Sequence, residues 1–379
     1  MMRKMAMRRA WFQVHKWIGL ILAILIIPLS LSGAALVWDH ALDKIVNPTR
    51  YAVSGTTLLS PDAYVAAAAI ALKHGERIAV LTLPEDGGPV VVSAAAAGKA
   101  PQRPGPPQRT MVYLDPPTAR VLEISPSNGG LVRFLHGLHG SLQLPGVGRS
   151  IVGWIGVFMM VSCFTGLWLW WPTVGRWARG LRYKRHRNTD TNLHYLFGFW
   201  VALPLFVLSL TGAWISFPQF FGKISGEASR PRGGGGGGGG PDRAAMARAK
   251  PLVKPAQPLD VAIGKARGIA GAAPLRSVAW PTDLTADWTV TFAGKGAPVG
   301  IKIADDTGDA TAAPARPQGG VARWMRRIHD GTDMGALWQA IIFIGGILPA
   351  VLGVTGVIMW WRARGWKAEL AAKRKARAA

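Results

Sequence analysis

The sequence predicts an α-helical membrane protein: a four-helix transmembrane bundle built as a two-fold internal repeat, with two small α+β domains outside the membrane. Three observations carry this. Hydrophobic residues make up 49% of the 379 residues and fall in long blocks, while charged residues are only 17%, under the roughly 25% of a soluble domain. Four of those blocks reach the length of about 20 residues that a bilayer crossing needs. The motifs around the first two blocks recur, in the same order, around the last two.

The blocks are 17–38, 151–171, 195–217 and 338–361, and none contains an acidic or basic side chain. Tryptophans crowd their ends (Trp17, Trp38, Trp170, Trp171, Trp360, Trp361), as at an interfacial belt. The first block is longer than the apolar core of a secretory signal, and the third repeats its pattern, so it reads as a span.

Charge sets the orientation. The formal net charge is +24, from 44 Lys and Arg against 20 Asp and Glu. Such a balance raises nucleic acid as a partner, but the basic residues cluster beside the apolar blocks, which is how membrane proteins use them. The arm 1–16, the loop 173–191 and the tail 362–379 hold 18 of the 44 and only Asp190 and Glu369 among the acids. With four spans these three segments share one side, and the positive-inside rule makes it the cytoplasm. Both termini are then inside, and the membrane lipid is the expected environment; no nucleic-acid partner is expected. The single cysteine, Cys163, excludes an internal disulfide framework and any Cys-based zinc or iron–sulfur site.

The order of segments follows: cytoplasmic arm 1–16, first span 17–38, external domain 39–135, a helix start and second span within 136–172, cytoplasmic loop 173–191, third span within 192–217, a linker and second external domain 218–325, a helix start and fourth span within 326–361, and the tail 362–379. In the first external segment, Ser60-Pro61-Asp62 is a helix start leading an Ala-rich helix toward Gly75. Strand patterns follow at 79–83, 90–93, 111–115 and 119–124, with a Pro-rich basic stretch at 99–109 between the pairs. The second segment opens with eight glycines, Gly233–Gly240, a flexible linker pattern. A helix at 259–269 and strands at 277–280, 288–293 and 300–304 follow.

The repeat aligns His15 through Ser32-Gly33 with His194 through Thr211-Gly212. It aligns Thr165-Gly166 with Thr355-Gly356, which sets His139 opposite His329, Arg133 opposite Arg323 and His136 opposite Arg326. The Thr-Gly pairs read most simply as close helix packing.

Four of the eight histidines stand at repeated positions: His15, His139, His194 and His329. Neutral imidazole ligates haem iron, and opposed helices can hold a haem between two histidines. Gly19, Gly198, Gly137 and Gly140 beside them leave room for a flat macrocycle. Arg133, Arg149, Arg323, Arg326 and Arg327 on one side, and Lys16 and Arg8 on the other, are candidates for its propionates. His136, one turn before His139, is an alternative ligand or a propionate partner. Against this stands the plain reading of a histidine at a span end, hydrogen-bonded to backbone or lipid.

These segments resemble a known family. His15-Lys16-Trp17-Ile18-Gly19-Leu20, Leu138-His139-Gly140-Ser141-Leu142 with Gly148-Arg149, and Thr165-Gly166-Leu167-Trp168-Leu169-Trp170-Trp171-Pro172 resemble signatures of the PepSY-associated transmembrane family. Asn192-Leu193-His194-Tyr195 and His329-Asp330-Gly331 are similar to further ones. The turns Asp115-Pro116-Pro117-Thr118-Ala119 and Asp305-Asp306-Thr307-Gly308 look like the D-P-x-T-G turn of PepSY domains. The sequence departs from the family at Gly140, where an arginine is frequent. The resemblance implies two PepSY-like periplasmic domains and an activity like that of bacterial inner-membrane ferric-siderophore reductases, which serve iron uptake. It implies two b-type haems on His15, His139, His194 and His329, a ferric siderophore or other ferric chelate as substrate, and a quinol or a cytoplasmic reductase as donor. The other readings are a non-redox membrane anchor whose PepSY-like domains bind or regulate a partner, and a small importer of iron chelates.

Overall fold

The computed structural model describes residues 2–98, 107–171, 186–227, 243–294, 298–313 and 320–378. The predicted glycine linker, the arginines expected in the cytoplasmic loop up to Arg185, and residues 99–106 of the basic stretch 99–109 lie outside the described residues. The chain divides into two units: Met1–Asp39, Phe134–Ser229 and Gly320–Ala379 form one, and His40–Arg133 with Arg230–Gly319 form the other.

The first half of the chain runs α1 (Met2–Leu36), α2 (Asp39–Val46), a 3₁₀ turn (Pro48–Tyr51), α3 (Pro61–Ala71), β1 (Arg77–Thr82), β2 (Val90–Ala95), β3 (Arg109–Leu114), β4 (Val121–Pro126), α4 (Leu131–Ser141) and α5 (Gly148–Trp170). The second half runs α6 (Thr189–Ser216), α7 (Pro218–Ile224), α8 (Arg243–Arg248) and α9 (Leu259–Ala270). It continues with β5 (Leu275–Ala279), β6 (Asp287–Phe292), β7 (Val299–Ala304), β8 (Ala310–Ala312), α10 (Val321–Asp330) and α11 (Gly335–Ala378).

Four helices, α1, α5, α6 and α11, are long and apolar enough to cross a membrane. Their outward faces carry apolar side chains in the open: Ile24 is 80% exposed and Leu203 73%. That is the reverse of a soluble bundle and suits a hydrocarbon solvent, in which only structures that satisfy their own backbone groups can stand. Both α1 and α6 pack against α5 and α11, so the four close a ring in which α1 and α6 face each other diagonally. The arm and the tail are helical too. α1 begins at Met2, and α11 continues through Ala378, where Ala, Lys, Arg and Glu favour helix.

The sequence places His139 on a helix running into the second span. The structure corrects this. Leu142 and Gln143 adopt positive φ (50° and 58°), α4 ends at Ser141, and the span helix α5 starts afresh at Gly148. The same break recurs before α11, at Gly331, Asp333 and Gly335 (φ 78°, 57° and 82°). His139 and His329 therefore sit on short separate helices, α4 and α10, that can take their own direction.

The other unit holds one antiparallel eight-stranded sheet in the order β4-β3-β2-β1-β5-β6-β7-β8. The sequence suggests two small domains, but β1 of the first segment pairs with β5 of the second, Leu81 opposite Val278. The two segments thus share one sheet and one core. Alternate residues point inward with a period of two: Val90, Val92, Val112 and Leu114 from the first half, Trp288, Val290, Phe292, Ile301 and Ile303 from the second, all buried. Tyr64 and Ala68 of α3 and Leu259, Ala262, Ile263 and Ala266 of α9 cover that face. Joining the segments makes β1 and β5 interior strands of one sheet and leaves neither with an open edge.

Each half carries one buried aspartate in its predicted turn. Asp115 accepts from the Ser54 backbone N–H (2.7 Å), Ser54 Oγ (2.6 Å) and Thr118 Oγ1 (2.5 Å). Asp305 accepts from the Ala256 and Gln257 backbone (2.8 and 3.0 Å) and from Trp288 Nε1 (3.1 Å). The resemblance marked these turns as a sequence signature; the structure makes them the clasps that tie an incoming loop to the sheet.

Candidate functional site

The four repeated histidines meet in two pairs. His15 of α1 faces His194 of α6 with ring centroids 6.5 Å apart and planes at 85°. His139 of α4 faces His329 of α10 at 5.9 Å and 36°. Each pair takes one histidine from each half of the chain.

Every one of these rings rests on a Ser-Gly or Thr-Gly pair of another helix. A Cβ built on Gly166 would lie 3.0 Å from His15 Cε1, one on Gly356 3.4 Å from His194, one on Gly212 3.1 Å from His329, and one on Gly33 2.5 Å from His139. The glycines are thus shelves against which the imidazoles lie. The neighbouring hydroxyls fix the rings further. His15 Nδ1 lies 3.1 Å from Thr165 Oγ1, His194 Nδ1 3.0 Å from Thr355 Oγ1, and His329 Nδ1 3.0 Å from Thr211 Oγ1.

These contacts decide the tautomer. Each threonine hydroxyl donates its proton to the carbonyl four residues back: Thr165 to Val161 (2.9 Å), Thr211 to Val207 (2.8 Å), Thr355 to Val351 (2.8 Å). Toward the imidazole the oxygen can then only accept, so Nδ1 carries the proton. At His139 the partner is the Leu29 carbonyl (2.8 Å), which also only accepts. Ser32 of that shelf donates to the same carbonyl (2.9 Å). All four imidazoles are therefore held as Nδ1–H, which leaves an Nε2 lone pair on the other edge of each ring. Among the described residues no hydrogen bond engages any of these Nε2 atoms. Burial holds His139 below the ordinary histidine range and His329 down to about 4, so both are neutral at physiological pH.

In the sequence the Thr-Gly pairs read as packing motifs; in the structure they carry the imidazoles as well. The signal was present: each pair recurs with a histidine at a matched position in the partner segment.

A cavity of about 700 Å³ opens beside the His15–His194 pair, walled by Trp170, Phe199, Leu205 and Leu352 and reached by Lys16 and Arg364. Gly19 and Gly198 both line it, and a Cβ on Gly19 would meet nothing within 4 Å, while one on Gly198 would meet only Leu352 at 3.9 Å. The volume lies in the range of cofactor pockets. Metal–imidazole bonds of about 2.0–2.1 Å put two rings on opposite sides of one ion at roughly 6.4 Å between centroids, close to both observed pairs. Among the described residues no cluster of three or more His, Cys, Asp or Glu is set to hold a bare ion. Each pair would offer a bound metal two imidazole ligands.

The remaining predicted residues divide. His136 turns to Asp39 (3.6 Å) and not to a second histidine. Arg149, Arg323 and Arg326 line a separate cavity, and Arg149 donates to the Ile215 carbonyl. Arg327 reaches the Thr332 and Asp333 carbonyls (3.3 and 3.2 Å) and lies over Trp324, while Arg8 donates to the Leu169 carbonyl (3.4 Å). Arg133 stands in the first turn of α4 and belongs to the sheet unit.

The chain belongs to the family described as the PepSY-associated TM region, whose model matches residues 12–363. No curated protein matches it.

Proposed function

We propose that the chain is a haem-carrying inner-membrane reductase that delivers electrons to a ferric chelate on the periplasmic side, in the manner of ferric-siderophore reductases. The observation that carries this is the pair of two-histidine sites, each with both Nδ1 protons anchored and both Nε2 lone pairs left for a ligand. In this reading His15 and His194 hold one b-type haem and His139 and His329 the other. Bound haem supplies reversible one-electron chemistry at iron.

The rest is the work of the chain. The four shelves fix ring direction and tautomer, and the hydrogen bond at each Nδ1 makes the imidazole a more basic ligand. Gly19 and Gly198 leave the flat space beside the inner pair, and Lys16 and Arg364 offer cations at its rim. Along α1, His15 and the Gly33 shelf are 18 residues apart, about 27 Å of helix, nearly a bilayer core. Two sites at opposite depths suit electron passage across the membrane. With the positive-inside rule, both termini and the His15–His194 pair lie toward the cytoplasm, where a quinol or a cytoplasmic reductase is the donor. The sheet unit is then periplasmic. The matched shelves and the mirrored strand orders support an internal repeat of helix, external segment and helix.

The test is spectroscopic. Protein purified from cells supplied with haem should show a Soret band and shift on reduction. His→Ala at any of the four positions should remove about one site's worth. A protein without the band ends this reading.

A further inference from the structure

A second cavity, about 460 Å³, lies at the far end of α6, lined by Arg149, Trp214, Ile215, Glu227, Arg323 and Arg326 among others. It adjoins the His139–His329 pair along two elements. Trp214 and Ile215 lie two and three residues past the Gly212 shelf, and Arg326 precedes His329 by one turn of α10, about 5 Å. Three guanidinium groups meet one carboxylate there. That carboxylate is engaged: Glu227 accepts from the Val321 and Ala322 backbone N–H groups at the start of α10, where the helix dipole favours it. Among the described residues its lining thus carries three guanidinium groups and one carboxylate.

The matched positions of the other half carry different residues, Arg133 opposite Arg323 excepted. Counted along the chain as the shelves are, Asp39 stands where Pro218 does, His136 where Arg326 does, and Gln339 where Arg149 does. Beside His139 the outcome is a His136–Asp39 contact at 3.6 Å; beside His329 it is a cluster of arginines. Guanidinium forks match carboxylates two bonds at a time. A cavity of this volume fits a whole small ligand and is large for one propionate arm.

The structure assigns this cavity as the binding site of a carboxylate-bearing ferric chelate. The assignment rests on the reductase reading and narrows its substrate class. Carboxylates are hard donors that favour Fe(III). One electron converts Fe(III) to Fe(II) with no bond made in the chelate, and a quinol donor serves two ferric ions and releases two protons. The weakened Fe(II)–carboxylate bonds then exchange.

The probe is Ga(III) citrate, which cannot be reduced, titrated calorimetrically into the detergent-purified full chain. Wild type should bind it, and should not bind gallium held by an uncharged or cationic trihydroxamate. Arg323→Gln with Arg326→Gln removes two charge-assisted contacts and should weaken binding at least about 100-fold, with the visible spectrum unchanged. Arg326→Lys, which keeps the charge and loses the fork, should fall between. Equal binding by the double variant overturns the assignment. So does loss of haem absorption in that variant, which would make the arginines propionate partners. Competition by glycerol phosphate as strong as by citrate would make the cavity a lipid-headgroup site and also overturns it. Arginine-dependent binding by a chain with no haem band would uphold the site and end the reductase reading instead.

Discussion

Gly33→Ala is the sharpest perturbation of the His139–His329 site. An alanine Cβ there would stand 2.5 Å from His139 Cε1 and 2.9 Å from Nδ1, where ordinary contact begins near 3.4 Å. The ring must retreat by about 0.9 Å. Its 2.8 Å bond to the Leu29 carbonyl then stretches to about 3.7 Å, outside hydrogen-bond range. Overpacking costs about 1–3 kcal/mol and the lost bond about 1, so that site weakens by roughly 2–4 kcal/mol, about 30- to 1,000-fold in ligand affinity. Gly356→Ala is the matched control, because its Cβ first meets His194 at 3.4 Å, an ordinary contact. Haem per chain, measured by absorbance after purification, should fall to about half in Gly33→Ala and stay full in Gly356→Ala. Full haem and unchanged midpoint potentials in Gly33→Ala would refute the shelf argument, as would equal losses in the two variants.

Three further outcomes follow from the same geometry. Thr355→Val keeps the shape of the shelf and removes the acceptor for His194 Nδ1–H; a less basic ligand stabilises the ferric state less, so one midpoint potential should rise by about 40 mV in a redox titration. Asp115→Asn should destabilise the sheet unit by about 2–3 kcal/mol at neutral pH, seen in thermal unfolding. Burial pushes the Asp115 carboxyl up, but its bonds from Ser54 and Thr118 outweigh that and hold it below its usual 3.8, so wild-type stability from this clasp is present above pH 3.8 and lost as pH falls through the lower folded value; the variant should lack that acid-side loss. Leu81→Ala empties a fully buried site on the strand that joins the halves and should cost about 3 kcal/mol, with limited proteolysis rising in both segments of the sheet unit and not in the first alone.

Much of this was legible in the sequence because membrane solvent leaves few choices. A run such as 195–217 can only be a buried-backbone helix, and its boundaries follow from charge and tryptophan. The strands, too, follow a period of two, and β6 and β7 fall within a residue or two of their predicted limits. The histidines stood out by matched spacing. What did not show was partnership between distant elements. Nothing in Arg77–Thr82 says that its free edge pairs with Leu275–Ala279, since both edges of a strand carry the same donors and acceptors. Nor does Thr165-Gly166 announce a ring from α1 as its cargo. Small residues that admit a helix also admit an imidazole, and only the fold distinguishes the two.

The two units solve the same problem in the same way. In the sheet, the halves join through β1 and β5, and the core beneath them is common to both. In the bundle, the halves join where α1 packs on α11 and α5 on α6, and two histidine contacts add to this, one between α1 and α6 and one between α4 and α10. A two-ligand site built from one histidine per half exists only when the halves are in register. Its occupation therefore reports on the whole bundle, since a ligand bridging His15 and His194 fastens α1 to α6, which the ring α1–α5–α6–α11 otherwise holds only through their neighbours. Binding free energy at such a bridge adds to the stability of the folded bundle by mass action, because the separated halves cannot supply both ligands. For this reason the loss of one histidine should cost thermal stability as well as cofactor, and the cost should vanish when wild type and variant are compared without haem.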